Sequence, residues 1–298
     1  YFIMAQIIPL LGGVRDGSLG CEISGNISRI ADLPTPKSPP KRGLSNLIVF
    51  KRSHVMRMCI VIVLMVLTLV NVGYSQDQGN DELLDAAVRE FQQAIEKNPS
   101  SAEAHYNLGS VYSEKGMAED AIAEYKKTLE IESNFVKAYN NIGVIYYETG
   151  RLDEAIENLK KAIAASPQYI EAQYNLGIVY HGKKQYSDAI VAFKKVVELD
   201  PKFGKGYYNL GVTYAAMDAL DESLVAFKKA VAINPQYSEA YYNMGVAYAK
   251  KDQLDEAIKS LQKALELNPN DDKSHFALGV IYQAKRKAKV TAGKSEKP

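Results

Sequence analysis

The chain has no tryptophan and only two cysteines, Cys21 and Cys59, among its 298 residues. Everything after residue 59 therefore lacks both disulfides and thiol chemistry. Histidine is scarce as well. His54, His105, His181 and His275 stand far apart, and no Cys/His group has the spacing of a zinc site. No glycine-rich phosphate loop is present, because Gly204-Lys205-Gly206 is too short to be one. No serine sits on the strand-turn-helix elbow of a hydrolase nucleophile. Nor does one sign of charge dominate, with 36 basic and 35 acidic residues. The sequence thus assigns no catalytic residue, no metal ligand and no cofactor, and the chain is expected not to be an enzyme.

What is abundant is repetition. Glycine recurs every 34 residues, at Gly109, Gly143, Gly177, Gly211, Gly245 and Gly279. Proline keeps the same step at Pro99, Pro167, Pro201, Pro235 and Pro269, with Ser133 the single break. A fixed period of this length signals stacked supersecondary units in place of one globular core.

One unit, residues 136–169, shows the plan. Tyr139, Ile142, Gly143 and Tyr146 fall on one helical face. Gly150 suits the left-handed residue that ends a helix. Leu152, Ala155, Ile156, Leu159, Ala162 and Ile163 then mark a second helix, which Pro167 closes. Gly143 costs about 1 kcal/mol relative to alanine inside a helix. A close approach of the second helix, helped by small Ala155 and Ala162, explains why the position is nonetheless glycine. The large, small and aromatic positions of this unit resemble those of the tetratricopeptide repeat (TPR) family. That resemblance implies an all-α, right-handed superhelical solenoid of antiparallel helix hairpins.

By this register the array occupies 76–283, with a half-repeat at 81–101 and a second at 272–283. Between them lie full repeats at 102–135, 136–169, 170–203, 204–237 and 238–271. Gly204 and Gly206 open the fourth repeat where others carry alanine, and any hinge is expected there. Acidic residues such as Asp153-Glu154, Asp221-Glu222 and Asp255-Glu256 recur at the start of second helices. They are read as favouring the helix dipole and capping free N–H groups, not as a paired-carboxylate site.

The face of each first helix opposite the packed one carries Asn107, Asn141, Asn175, Asn209 and Asn243, a ladder that stops at Ala277. Each asparagine offers two donors and an acceptor, enough to hold a peptide bond whatever its side chain. Beside it stand Tyr106, Tyr174, Tyr208, Tyr242 and Phe276, with Asn140 the exception. The family resemblance places these residues in a concave peptide-binding groove. The ladder is similar to that in the repeat domain of O-linked N-acetylglucosamine transferase, although asparagine is also common at this position in generic repeats. A chaperone-type carboxylate clamp is not implied, because the position before each asparagine is not lysine and no ladder position is arginine.

The ends read differently. Residues 1–55 begin at Tyr1 and mix glycine, proline and serine with short apolar runs, as in a disordered extension or translated upstream sequence. In 56–75, Lys51, Arg52 and Arg57 precede or flank the apolar run Met58–Val70, and Gly73 and Ser75 follow, the order of a secretory signal peptide. The run is short of the about 20 residues that span a bilayer. Cleavage after Ser75 and export to a periplasm or the exterior are expected, with an uncleaved membrane anchor as the alternative. Residues 284–298 form a basic tail, expected to be disordered, and residues 76–282 carry a net charge of −9. An acidic array argues against nucleic acid as its partner.

The sequence is accordingly read as a non-catalytic scaffold binding an extended peptide or a partner protein. Two other readings stand beside it. One is the substrate-docking arm of a glycosyltransferase whose catalytic domain is absent from this chain. The other is a structural component of an envelope assembly that self-associates through its terminal half-repeats.

Overall fold

The computed structural model describes residues 81–295, and every regular element among them is an α-helix. Helix α1 runs through 81–97. It is followed by α2 (Ala102–Glu114), α3 (Ala118–Ile131), α4 (Val136–Glu148), α5 (Leu152–Ala165), α6 (Ile170–Gly182) and α7 (Tyr186–Leu199). Then come α8 (Gly204–Ala216), α9 (Leu220–Ile233), α10 (Ser238–Lys250), α11 (Leu254–Leu267) and α12 (Asp272–Ser295). Residues from Val88 onward belong to one compact unit. Of the other, Arg15–Ala87, only the opening turns of α1 are described. The extension, the signal-like segment and both cysteines lie outside the described residues. No helix among those described is long and apolar enough to cross a membrane.

Even-numbered helices lead each repeat and odd-numbered helices trail. From α2 to α11 each leading helix packs on its own trailing helix, and from α3 on each trailing helix packs on the next leading one, which makes an all-α solenoid of hairpins. The recurring glycines sit at the tightest point of each hairpin. A Cβ built on Gly143 would lie 2.7 Å from Leu159 Cγ, and one on Gly177 or Gly211 would lie 2.6 Å from the ring of Phe193 or Phe227. Any side chain there would collide with a residue that is at most 1 % exposed. Zero volume is therefore what the position requires, and burial of a large apolar side chain, worth about 1.5–3 kcal/mol, outweighs the helix propensity lost.

Turns within the hairpins share one geometry. Gly116 and Gly150 adopt positive φ (72° and 77°), and Lys184, Asp218 and Asp252 do the same at the equivalent positions (61°, 59° and 59°). Around Gly150 the Arg151 N–H reaches Tyr146 O at 2.7 Å and the Gly150 N–H reaches Tyr147 O at 3.0 Å. This 6→1 and 5→2 pair is the Schellman motif, which satisfies carbonyls that the helix end leaves free. Between repeats, Ser166 before Pro167 is extended, as proline demands of its predecessor. Glu132 adopts the same conformation, and the turn forms without a proline.

Three expectations need correction. The acidic residues of the trailing helices do not cap them: α5, α9 and α11 have no side-chain cap hydrogen bond. Their N-cap positions are Arg151, Ala219 and Gln253, so the acids stand two or three residues too late. Asp153 and Asp221 instead accept from Lys183 and Lys251 in the following hairpin turn, and Asp255 accepts from Lys285 on α12. The basic segment after residue 283 is also not all tail, because α12 continues to Ser295. Its alanines, lysines and arginine are strong helix formers, and no proline interrupts them. Finally, Gly206 is a packing residue. A Cβ there would lie 2.9 Å from Val196 Cγ1 and 3.0 Å from Val197 Cγ1, and α8 nonetheless starts in register at Gly204.

Candidate peptide-binding surface

The ladder asparagines are half-buried and recur along the leading helices from α2 to α10. From Asn141 onward their side chains are tied to the preceding repeat by bonds that span 35 residues. Asn209 Nδ2 donates to the Tyr174 hydroxyl at 2.8 Å, and Asn243 Nδ2 donates to the Tyr208 hydroxyl at 3.1 Å. Asn141 Nδ2 reaches the Tyr106 hydroxyl at 3.3 Å and the Tyr125 hydroxyl at 3.1 Å. Tyr106, Tyr174 and Tyr208 thus accept from an asparagine one repeat on and keep their own protons to donate, whereas Tyr125 gives its proton to Ser110 Oγ at 3.1 Å.

The second repeat differs because Asn140 stands in the tyrosine position. Asn175 Nδ2 donates to Asn140 Oδ1 at 2.9 Å, and Asn140 Nδ2 donates to Asn141 Oδ1 at 3.2 Å. Asn140 is buried. Asn141 consequently has donors and acceptor all engaged inside the protein. Asn175, Asn209 and Asn243 are held through their amide nitrogens, which orients each Oδ1 without using it as an acceptor in these bonds.

The tyrosine rings are fixed from both sides. Tyr174 lies 6.0 Å from Phe193 of its own trailing helix and 5.2 Å, edge-on, from Phe203 in the turn that opens the next repeat. Tyr208 lies 5.9 Å from Phe227 and 4.7 Å from Tyr237. Tyr106 lies 5.5 Å from Tyr125 and 4.9 Å from Phe135. Such centroid separations are those of favourable aromatic pairs. The turn aromatics Phe135, Tyr169, Phe203 and Tyr237 carry no role in the sequence reading. Their own 34-residue period, one position before α4, α6, α8 and α10, is the signal that marks them.

Burial raises the hydroxyl pKa of Tyr174, Tyr208 and Tyr237 above the usual phenol value, and nearby tyrosines push Tyr237 further. These hydroxyls are therefore neutral donors at physiological pH. The last two aromatic positions break the pattern. Tyr242 is buried and its hydroxyl has no hydrogen-bond partner, because Ala277 replaces the asparagine that would reach it. Phe276 is 54 % exposed on α12.

Histidine chemistry is local. His105 Nδ1 meets Glu124 Oε2 at 2.6 Å and Nε2 meets Pro99 O at 3.2 Å, while Lys127 Nζ donates to Glu124 Oε1 at 2.8 Å. His275 Nε2 lies 3.0 Å from Pro269 O. No group of three or more metal-ligating side chains occurs among the described residues. A shallow cleft between α3, α4 and α5 is floored by Leu129, Ile142 and Tyr146 and includes no ladder residue.

This hairpin geometry and its register define a class that comparison with known proteins bears out. Family profiles described as TPR repeat or tetratricopeptide repeat match residues 83–116, 112–150, 145–184, 170–203, 219–252, 238–271 and 260–297. The chain belongs to the tetratricopeptide repeat family. Among solved structures it is similar to YrrB, described as a TPR protein with an unusual peptide-binding site, at 30 % identity and a TM-score of 0.56. That match covers 64 % of this chain and 98 % of YrrB. It is similar to MamA at 33 % identity, a TM-score of 0.53 and coverage of 56 % and 97 %. MamA from Desulfovibrio magneticus RS-1 matches at 25 % identity, a TM-score of 0.54 and coverage of 57 % and 97 %. No curated protein matches the chain.

Proposed function

We propose that the protein is a non-catalytic scaffold that holds an extended segment of a partner protein along its asparagine–tyrosine face. The observation that carries this reading is the repeated station made by Asn209 with Tyr174 and by Asn243 with Tyr208. Each station sets a hydroxyl donor beside an oriented amide acceptor, the complement of a peptide group's carbonyl and N–H. Buried aromatic neighbours hold that geometry in place, so little side-chain freedom is lost on binding. Recognition of main chain at regular intervals tolerates variation in the ligand's side chains. The description of YrrB as having a peptide-binding site supports the same class of ligand. Export is part of the proposal, on the strength of the signal-like segment 56–75.

The test uses binders selected from a library of unstructured peptides against the wild-type chain. Asn175→Ala together with Asn209→Ala is expected to weaken them by about tenfold, the scale of one or two lost hydrogen bonds. N-methylation of the ligand backbone should weaken binding more than alanine substitution of its side chains. Equal affinity of the double variant, with helical content unchanged, would overturn the proposal.

A further inference from the structure

Every full repeat makes one contact of the same kind: the glycine of a leading helix receives the large residue found 16 positions later on the trailing helix. Gly109 receives Tyr125, Gly143 Leu159, Gly177 Phe193, Gly211 Phe227 and Gly245 Leu261. At the two ends this contact is split. Gly279 on α12 is exposed, and a Cβ there would meet nothing within 4 Å. Phe91 on α1 stands at the register of Tyr125 through Leu261, yet it is half-exposed where those five are at most 1 % exposed. Ala94 is exposed where its counterparts Ala162, Val196, Ala230 and Ala264 are fully buried. Around the empty notch, His275 and Tyr282 are exposed as well.

Neither end carries the sequence signature of the missing half. Where the 34-residue period would place a preceding leading segment, at 68–80, the sequence has Ser75 in the glycine position and Gln78 in the aromatic one. At the other end a return hairpin needs a left-handed residue, as at Gly150, Asp218 and Asp252. Arg286 occupies that position, and α12 runs through it as helix. The two ends also carry opposite charge. Residues 81–97 hold five acidic and two basic side chains, whereas Asp272–Ser295 holds six basic and one acidic.

We propose that the chain associates head to tail with a second copy of itself, α1 of one copy lying on α12 of the next with Phe91 seated at Gly279. The pair completes a composite repeat from a knob without a notch and a notch without a knob. Charge attraction between the helices steers the encounter. Because the contact joins unlike surfaces, each added copy leaves both kinds of end open, and the assembly grows as an open series. This inference stands apart from the peptide-binding reading, since none of its residues belongs to a Tyr–Asn station.

The experiment uses full-length chains with Cys21 and Cys59 replaced by serine. One preparation carries Phe91→Cys, the other Gly279→Cys, and the two are mixed and oxidised. Peptide mapping is expected to find a disulfide between positions 91 and 279. In sedimentation, the wild-type chain should form oligomers that lengthen with concentration. Gly279→Phe, which fills the notch at an exposed helix position, should weaken association by about tenfold or more. A concentration-independent monomer, a predominance of 91–91 or 279–279 links, or unaltered association of Gly279→Phe would each overturn the proposal. The Asn175→Ala/Asn209→Ala variant should associate as the wild type does. Loss of association in it would move the contact onto the ladder and also overturn the proposal.

Discussion

The amide of Asn209 rests on the hydroxyl of Tyr174, 2.8 Å away and 35 residues earlier in the chain. The bond crosses a repeat boundary, so it stiffens the junction between α6 and α8 as well as shaping the ladder face. Replacing Tyr174 by phenylalanine leaves Asn209 without its acceptor. The expected cost is about 1 kcal/mol, read as a lower urea midpoint.

Tyr242 should respond in the opposite sense. Its hydroxyl is buried without a partner, so Tyr242→Phe removes a desolvated group and no hydrogen bond. Stability should be unchanged or rise by up to about 1 kcal/mol. Ser223 makes a sharper case, being fully buried and unpartnered where Ala121, Ala155, Ala189 and Ala257 stand in the other repeats. Ser223→Ala should raise the thermal midpoint, and a lower midpoint would show that the hydroxyl has a partner in solution.

Alanine at the recurring glycines separates the interior notches from the open one. At Gly177 the new methyl would stand 2.6 Å from the Phe193 ring. Overpacking of that kind costs about 1–3 kcal/mol, more than the roughly 1 kcal/mol gained in helix propensity. At Gly279 nothing of the same chain lies within reach, so at concentrations where the chain is monomeric only the propensity gain remains. Thermal unfolding should show Gly177→Ala destabilised and Gly279→Ala stabilised.

Ion pairs between successive hairpins keep one register with two departures, the first being Arg151–Glu119 between the first and second repeats, where Thr149 stands in the lysine position. Lys183–Asp153, Lys251–Asp221 and Lys285–Asp255 link neighbours 30 residues apart. The junction between the third and fourth repeats has Ser187 and Met217 at those positions, and Met217 is exposed. Ser187→Asp with Met217→Lys should install the missing pair. A double-mutant cycle should give a coupling of about 0.2–1 kcal/mol that shrinks at high salt.

Alkali should loosen the array. Tyr125, Tyr169, Tyr174, Tyr208, Tyr237 and Tyr242 all have raised pKa values, in each case chiefly through burial. An unfolded tyrosine ionises near 10, so the folded state holds protons that the unfolded chain has released. Stability from these groups is complete below about pH 10 and is lost as pH rises from there through the raised folded values. His181 acts at the acid end, its pKa lowered by burial. The Thr213 hydroxyl donates to Asn209 O at 2.7 Å, so it accepts from His181 Nδ1 at 3.0 Å, and the neutral ring suffices. Its contribution is complete above the ordinary histidine value of about 6.5 and is lost as pH falls through the lower folded value. Unfolding midpoints across both pH ranges, with Tyr237→Phe and His181→Gln for comparison, would check both limbs.

The hairpins were legible in sequence because zero volume at Gly143 or Gly177 has one structural use at that spacing. Gly150 was legible for a similar reason, since a left-handed turn favours it. The partnership of Asn209 with Tyr174 was not, because a ladder read down one face gives no hint of bonds running across it. Phe203 and Tyr237 show their period plainly, but a residue in a turn reads as a helix boundary until the ring beneath it is seen. The acids at Asp153 and Asp221 stand in the first turn, where they favour the dipole as read, but two residues past the cap position, so they do not cap. Residues past 283 were read as tail from their charge, although lysine and alanine extend a helix readily when nothing stops it.

Tyr242 finally shows what the cross-repeat bond means for the length of the chain. The first, third and fourth repeats lend Tyr106, Tyr174 and Tyr208 to the asparagine of the next repeat, so these units are not complete within their own 34 residues. Trimming the array from its C-terminal side would move the orphan hydroxyl inward, to Tyr208 or Tyr174, wherever the cut fell. Duplicating an internal unit bearing both residues would instead add a station and create no new orphan. Such an array is easier to lengthen than to shorten.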